Sequence, residues 1–267
     1  HFQLRRCVWG KVLCNKDPQE SHDYKSSFSG KLRSAVNFCP LLQELIIHVH
    51  QKDGYETLRF LKQLTLLKID FRECEGEFVP DFFALLQKVG PQLKHLCVIS
   101  KRPLPVDDIC ESCAHLQNLQ IIGSTFVKNS SEASKNLLLK TLKLCALYEE
   151  EDKESLLFLL SNCQHLEELF LHYFQSFDDA LLNQIFERNP LTELKVSCIV
   201  YCGLTREGYE MFIKKACSIE KVLIVSFEEE YVYDKNSLFK DPNLRYLKDV
   251  NVRWKEFFSK RLNKNRF

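Results

Sequence analysis

Aliphatic residues recur along this chain in one spacing: a first leucine, a second three positions on, and a third two positions after that. With Ile or Val allowed, it appears as Leu42/Leu45/Ile47, Leu64/Leu67/Ile69, Leu93/Leu96/Val98 and Leu116/Leu119/Ile121. It continues as Leu139/Leu142/Leu144, Leu166/Leu169/Leu171, Leu191/Leu194/Val196 and Ile219/Val222/Ile224. Leu244 and Leu247 begin a ninth copy that ends on Asp249, and Leu4/Cys7/Trp9 is a degenerate candidate upstream. Successive starts lie 22 to 29 residues apart, within the roughly 20–29 used by strand-bearing repeats.

The last two aliphatics of each copy are two residues apart, so they share one face of a short strand. The segments between copies are apolar at helical spacing. Asp81–Val89, Lys153–Ser161, Asp178–Glu187 and Thr205–Ala216 are the predicted helices, with Asp178 suited to an N-cap. A single strand–helix unit cannot bury both apolar faces. Stacking units side by side makes a parallel ribbon inside and a helix layer outside. At about 4.8 Å per strand, nine strands trace an arc of roughly 40 Å, the size of a protein or peptide.

Strand parity names the residues of the ribbon's inner face. Ile46, His48, Lys68, His95, Gln120, Lys143, Phe170, His172, Lys195 and Leu223 are the candidates for partner contact. Phe170 stands out because aromatic residues anchor interfaces. The alternative is ordinary packing between neighbouring strands.

Composition narrows the class. Lys and Arg number 37 and Asp and Glu 36 over 267 residues, a formal charge of +1, so neither a nucleic-acid binder nor an acidic solvating chain is expected. The longest strongly apolar run, Leu156–Leu160, is far shorter than the ~20 residues of a bilayer helix, so no membrane span is expected. The opening residues lack a signal-peptide pattern. The chain starts on His1 and holds one methionine, Met211, which suggests a fragment or processed product.

The 12 cysteines are scattered through apolar runs and read as reduced, buried thiols of a cytoplasmic or nuclear protein. Cys110 and Cys113 with His115, Cys198 with Cys202, and His48 with His50 are the candidate metal-ligand groupings. None supplies four ligands, so no metal or cofactor is expected. Asn129-Ser130-Ser131 is a single glycosylation sequon. No nucleophile elbow, phosphate-binding glycine loop or dinucleotide fingerprint occurs, so catalysis is not expected. Two acidic runs, Glu149–Asp152 and Glu228–Glu230, follow repeat strands and would share one rim. Residues 253–267 form a basic tail expected to cap the last unit.

Three copies carry a cysteine three positions before the first leucine: Cys39-Pro-Leu-Leu42, Cys113-Ala-His-Leu116 and Cys163-Gln-His-Leu166. This resembles the cysteine-containing class of leucine-rich repeats found in F-box/leucine-rich-repeat proteins. The other copies place Leu61, Gly90, Asn136, Arg188, Ala216 and Asp241 at that position, and the Cys or Asn of the late repeat is replaced by His50 and Arg72 in the first two. The resemblance covers residues 36–252 and implies an α/β leucine-rich-repeat solenoid, a horseshoe of nine to ten repeats in one domain, with residues 1–35 irregular. It further implies the substrate-recognition part of an SCF-type ubiquitin-ligase receptor, holding a protein client on its concave face. The F-box that recruits the ligase adaptor is not seen in these residues and would lie upstream. A free-standing intracellular scaffold or inhibitor, and a secreted or cell-surface ectodomain, remain the alternatives.

Overall fold

The structure, a computed structural model, describes residues 6–9, 33, 36–49, 55–74, 76–129, 136–146, 153–225 and 230–234. It is an α/β fold built on one ten-stranded sheet whose strand order follows the chain. The strands are β1 (Arg6–Trp9), β2 (Glu44–His48), β3 (Leu66–Asp70), β4 (His95–Ile99), β6 (Asn118–Ile122), β8 (Thr141–Cys145), β9 (Glu168–His172), β10 (Val196–Val200), β11 (Lys221–Val225) and β12 (Glu230–Asp234). Two-residue strands β5 (Leu104–Pro105) and β7 (Phe126–Val127) pair separately. All pairings from β1 to β11 are parallel, and β12 returns antiparallel to β11.

The register repeats from strand to strand. Leu45, Leu67, Leu96, Leu119, Leu142 and Leu169 stand side by side. Ile47, Ile69, Val98, Ile121, Leu144 and Leu171 form a second row on the same face. All of these side chains are buried. β1 joins in the expected register, Cys7 beside Leu45 and Trp9 beside Ile47, which is where the degenerate first copy was read.

Helices cover this face. They are α1 (Val79–Val89), α2 (Val106–Ser112), α3 (Lys153–Asn162), α4 (Asp179–Arg188) and α5 (Arg206–Lys215). Their buried apolar residues and the two aliphatic rows belong to one hydrophobic core. Asp178 caps α4 by accepting from Leu181 N–H at 2.7 Å, and Thr205 caps α5 by accepting from Gly208 N–H at 3.3 Å. Pro80 sits in the first turn of α1, where its missing N–H costs nothing. Between β2 and β3 a 3-10 helix, Tyr55–Phe60, replaces an α-helix.

The same backbone turn precedes β2, β3, β4, β6, β9, β10 and β11. Leu42 N–H donates to Cys39 O, Leu93 to Gly90 O, Leu116 to Cys113 O and Leu166 to Cys163 O. The cysteine position therefore starts the turn, and a small or apolar buried residue suits it. At Gly90 an added Cβ would stand 2.4 Å from the Ser112 carbonyl oxygen, so only glycine lets the neighbouring unit approach. Side-chain amides tie units together: half-buried Gln92 Nε2 donates to Leu61 O at 2.6 Å, and buried Asn189 Nδ2 to Leu160 O and Cys163 O at 2.7 and 3.1 Å.

The seventh copy is corrected. β10 pairs Ser197 with Leu169 and Ile199 with Leu171, so the aliphatic triplet is Leu194/Ser197/Ile199 rather than Leu191/Leu194/Val196. Leu194 N–H donates to Leu191 O, so Leu191, not Arg188, occupies the cysteine position. The extra leucine at 191 offered the expected spacing three residues early. The buried Ser197, polar where an aliphatic is the rule, hid the true one. β12 was not foreseen as a strand. The copy at Leu244/Leu247, the acidic run 149–152, residues 228 and 229, and the basic tail 253–267 lie outside the described residues.

The uncovered sheet face as candidate functional site

The sheet's second face carries the first, third and fifth residue of β2, β3, β4, β6, β8, β9, β10 and β11. On it the third-residue row reads Ile46, Lys68, Cys97, Gln120, Lys143, Phe170, Cys198 and Leu223. No described helix contributes to it. Cys198 and Leu223 form a small cluster separate from the core, with Phe170, Val200 and Val225 packed against it.

Nine of the ten candidate residues lie on this face: Ile46, His48, Lys68, His95, Gln120, Lys143, Phe170, His172 and Leu223. Most are half-buried, and Leu223 is buried. Lys195 does not join them. It precedes β10, is exposed, and bonds Glu167 at 2.8 Å on the sheet's N-terminal edge. The three-residue register error moved it onto the strand. Val196, Cys198 and Val200 are what β10 presents here instead.

The face changes character along the sheet. Over β2–β4 it is ionic. Asp70, buried, receives His48 Nδ1 at 3.1 Å and Arg72 through Nε and Nη2 at 3.0 and 2.7 Å. Burial would raise its carboxyl, but the His48 and Arg72 hydrogen bonds overcome this and hold it well below the usual range. Asn118 Nδ2 bonds the His95 ring. A groove of about 480 Å³ runs over β2–β9, with His95, Asn118, Gln120 and Thr141 among its lining.

Over β9–β11 the face is apolar. The Lys143 ammonium lies 4.4 Å from the Phe170 ring centroid, a cation–π contact. At the C-terminal edge, Tyr173 and Tyr201 follow β9 and β10 directly and stack with centroids 5.1 Å apart. Both have left-handed backbones, φ 62° and 53°, which costs a non-glycine residue about 1 kcal/mol or more. Gly123, after β6, takes the same turn at φ 78°. The stacked tyrosines had no signal in the leucine spacing, since they fall one residue past the strands.

Beside them Cys145 Sγ is 3.3 Å from His172 Nδ1. Burial pushes the Cys145 thiol up to about 12 and the His172 imidazole down to about 4. At neutral pH both are uncharged, so the pair is a thiol beside a neutral ring. It is not the thiolate–imidazolium pair that a cysteine nucleophile uses.

The candidate ligand cysteines are packing residues. Cys110, Cys113, Cys198 and Cys202 are buried, and burial raises the Cys113 and Cys198 thiols to about 12. Among the described residues no three His, Cys, Asp or Glu side chains are grouped to hold a metal ion. No helix among them is long and apolar enough to cross a membrane. No protein-family model matches the chain, and no curated protein matches it.

Proposed function

We propose that this chain is a leucine-rich-repeat module of the cysteine-containing class that binds a protein client on the uncovered sheet face. The carrying observation is the unbroken register of β2 to β11, which lines up side chains on a helix-free face. Repeat stacks with one helical and one strand face use the strand face for broad contacts. In this reading the ribbon is curved into a horseshoe, and the module is the substrate-recognition half of an F-box-type ubiquitin-ligase receptor. Ubiquitin chemistry belongs to other subunits. The cysteine turns at Cys39, Cys113 and Cys163 support that class, and the ten described thiols, all unbridged, support a reducing compartment.

A photo-crosslinking residue at Gln120, compared with one at Glu210 on the helical side, tests the module. Client capture from position 120 alone supports it, and capture from position 210 alone rejects it. Co-purification of the full gene product with the ligase adaptor tests the ligase part separately. Loss of that co-purification leaves the module as a free-standing scaffold.

A further inference from the structure

The residue just after each strand donates its N–H to the end of the next strand. After β2, β3, β4 and β8 that residue is Val49, Phe71, Ser100 or Ala146, and all four are buried. After β9 and β10 it is Tyr173 and Tyr201, whose left-handed backbones swing the side chain off the buried side. Tyr173 is 42% exposed and Tyr201 half-buried. Glycine makes the same turn at Gly123 without a steric penalty, whereas both tyrosines make it against one. Strain held in two residues that stack on each other 5.1 Å apart marks a displayed surface. The His172 ring lies 4.3 Å from Tyr173 and 6.1 Å from Tyr201. It adds a third aromatic ring and, being neutral at neutral pH, no positive charge.

The same edge is acidic on both sides of the tyrosines. Chain order puts Glu149, Glu150, Glu151 and Asp152 between Ala146, after β8, and Lys153, which opens α3. Glu228 and Glu229 fall in the link from β11 to Glu230, which pairs with Val225. Lys153 is already bonded to Asp178 at 3.0 Å. Lys101 and Arg102, exposed cations of this edge, follow β4, with β6 between them and β8.

We propose that the C-terminal edge of the sheet over β9 and β10 binds a basic segment of the client, with one arginine or lysine side chain seated on the Tyr173–Tyr201 stack. This rests on the reading of the adjoining face as a client-binding surface and adds the client's chemistry. Aromatic ring faces attract a cation, the more so where water is partly excluded. The acidic runs to either side steer a basic chain toward the rings and repel an acidic one.

The test is selection from a displayed library of random twelve-residue peptides on the whole chain. The expected result is enrichment of sequences with two or more Arg or Lys. Exchanging the decisive arginine for citrulline, its uncharged isostere, or the decisive lysine for acetyl-lysine, should lower affinity at least fivefold. Tyr173→Asn removes the ring while suiting the left-handed backbone, and should lower affinity about fivefold. Tyr173→Phe keeps the ring and should stay within about twofold. Glu150→Lys with Glu229→Lys should weaken binding further, and so should raised salt. Circular dichroism melts of these variants keep folding separate from binding. Enrichment of neutral or acidic sequences, no enrichment, unchanged affinity after the charge is removed, or indifference to Tyr173→Asn overturns the proposal. Crosslinking tells the two readings apart. A client captured at Gln120 but indifferent to Tyr173→Asn rejects the basic segment and keeps the binding face, whereas capture only at Glu210 rejects the face itself.

Discussion

Arg72 meets Asp70 from two directions, Nε 3.0 Å from Oδ1 and Nη2 2.7 Å from Oδ2, on a carboxylate that is almost fully buried. A buried carboxylate of this kind ties stability to pH. Its folded-state value lies below the unfolded one, so its contribution is complete above about pH 4 and is lost as the pH falls toward the lowered value. Asp70→Asn should cost about 2 kcal/mol at pH 7, because Arg72 loses its partner. Urea melts should also show the variant losing less than the parent chain between pH 5 and pH 3. Equal acid losses would mean that Asp70 is not the linked group.

Gly90 explains why the cysteine position tolerates no side chain in that unit. The Ser112 carbonyl, at the end of the next helix, stands where a Cβ would go. Backbone cannot yield as a flexible side chain can. Gly90→Ala should therefore lower stability by about 1–3 kcal/mol, the range for overpacked interiors. A shift of the urea midpoint without a change in slope would measure it.

Leu169 and Phe170 are neighbours on opposite faces. Leu169 is fully buried in the aliphatic row, so Leu169→Asp puts an unpaired charge into the core and should abolish the cooperative melt. Phe170→Ala should leave the melt within about 1 kcal/mol of the parent, since the ring is only half-buried. It should weaken any client or peptide held on that face. The reverse order of damage by circular dichroism would invert the assignment of the two faces.

Most of the fold was legible because its signal is repeated. A leucine at 166 carries little information alone, but its spacing to Leu169 and Leu171 recurs at Leu139, Leu116 and Leu93. The same spacing failed where a local decoy matched it. Leu191 takes a left-handed turn at φ 50° and is buried at the cysteine position, yet it reads as a first leucine. Tyr173 and Tyr201 were missed because backbone handedness leaves no periodic trace. The ion pair of Asp70 with Arg72 was also invisible, since adjacent charges two residues apart normally face solvent.

The corrected register makes its own test. Ser197 is buried in the aliphatic row, and among the described residues its hydroxyl has no hydrogen-bond partner, whereas Val196 sits half-buried on the opposite face. An unsatisfied buried hydroxyl costs stability, so Ser197→Ala should be neutral or stabilising by up to about 1 kcal/mol. Ser197→Asp should unfold the chain or cost more than about 3 kcal/mol, while Val196→Asp should cost much less. The register read from Leu191, Leu194 and Val196 demands the opposite order, because it would bury position 196 and expose position 197. Thermal melts of the two aspartate variants side by side decide between them.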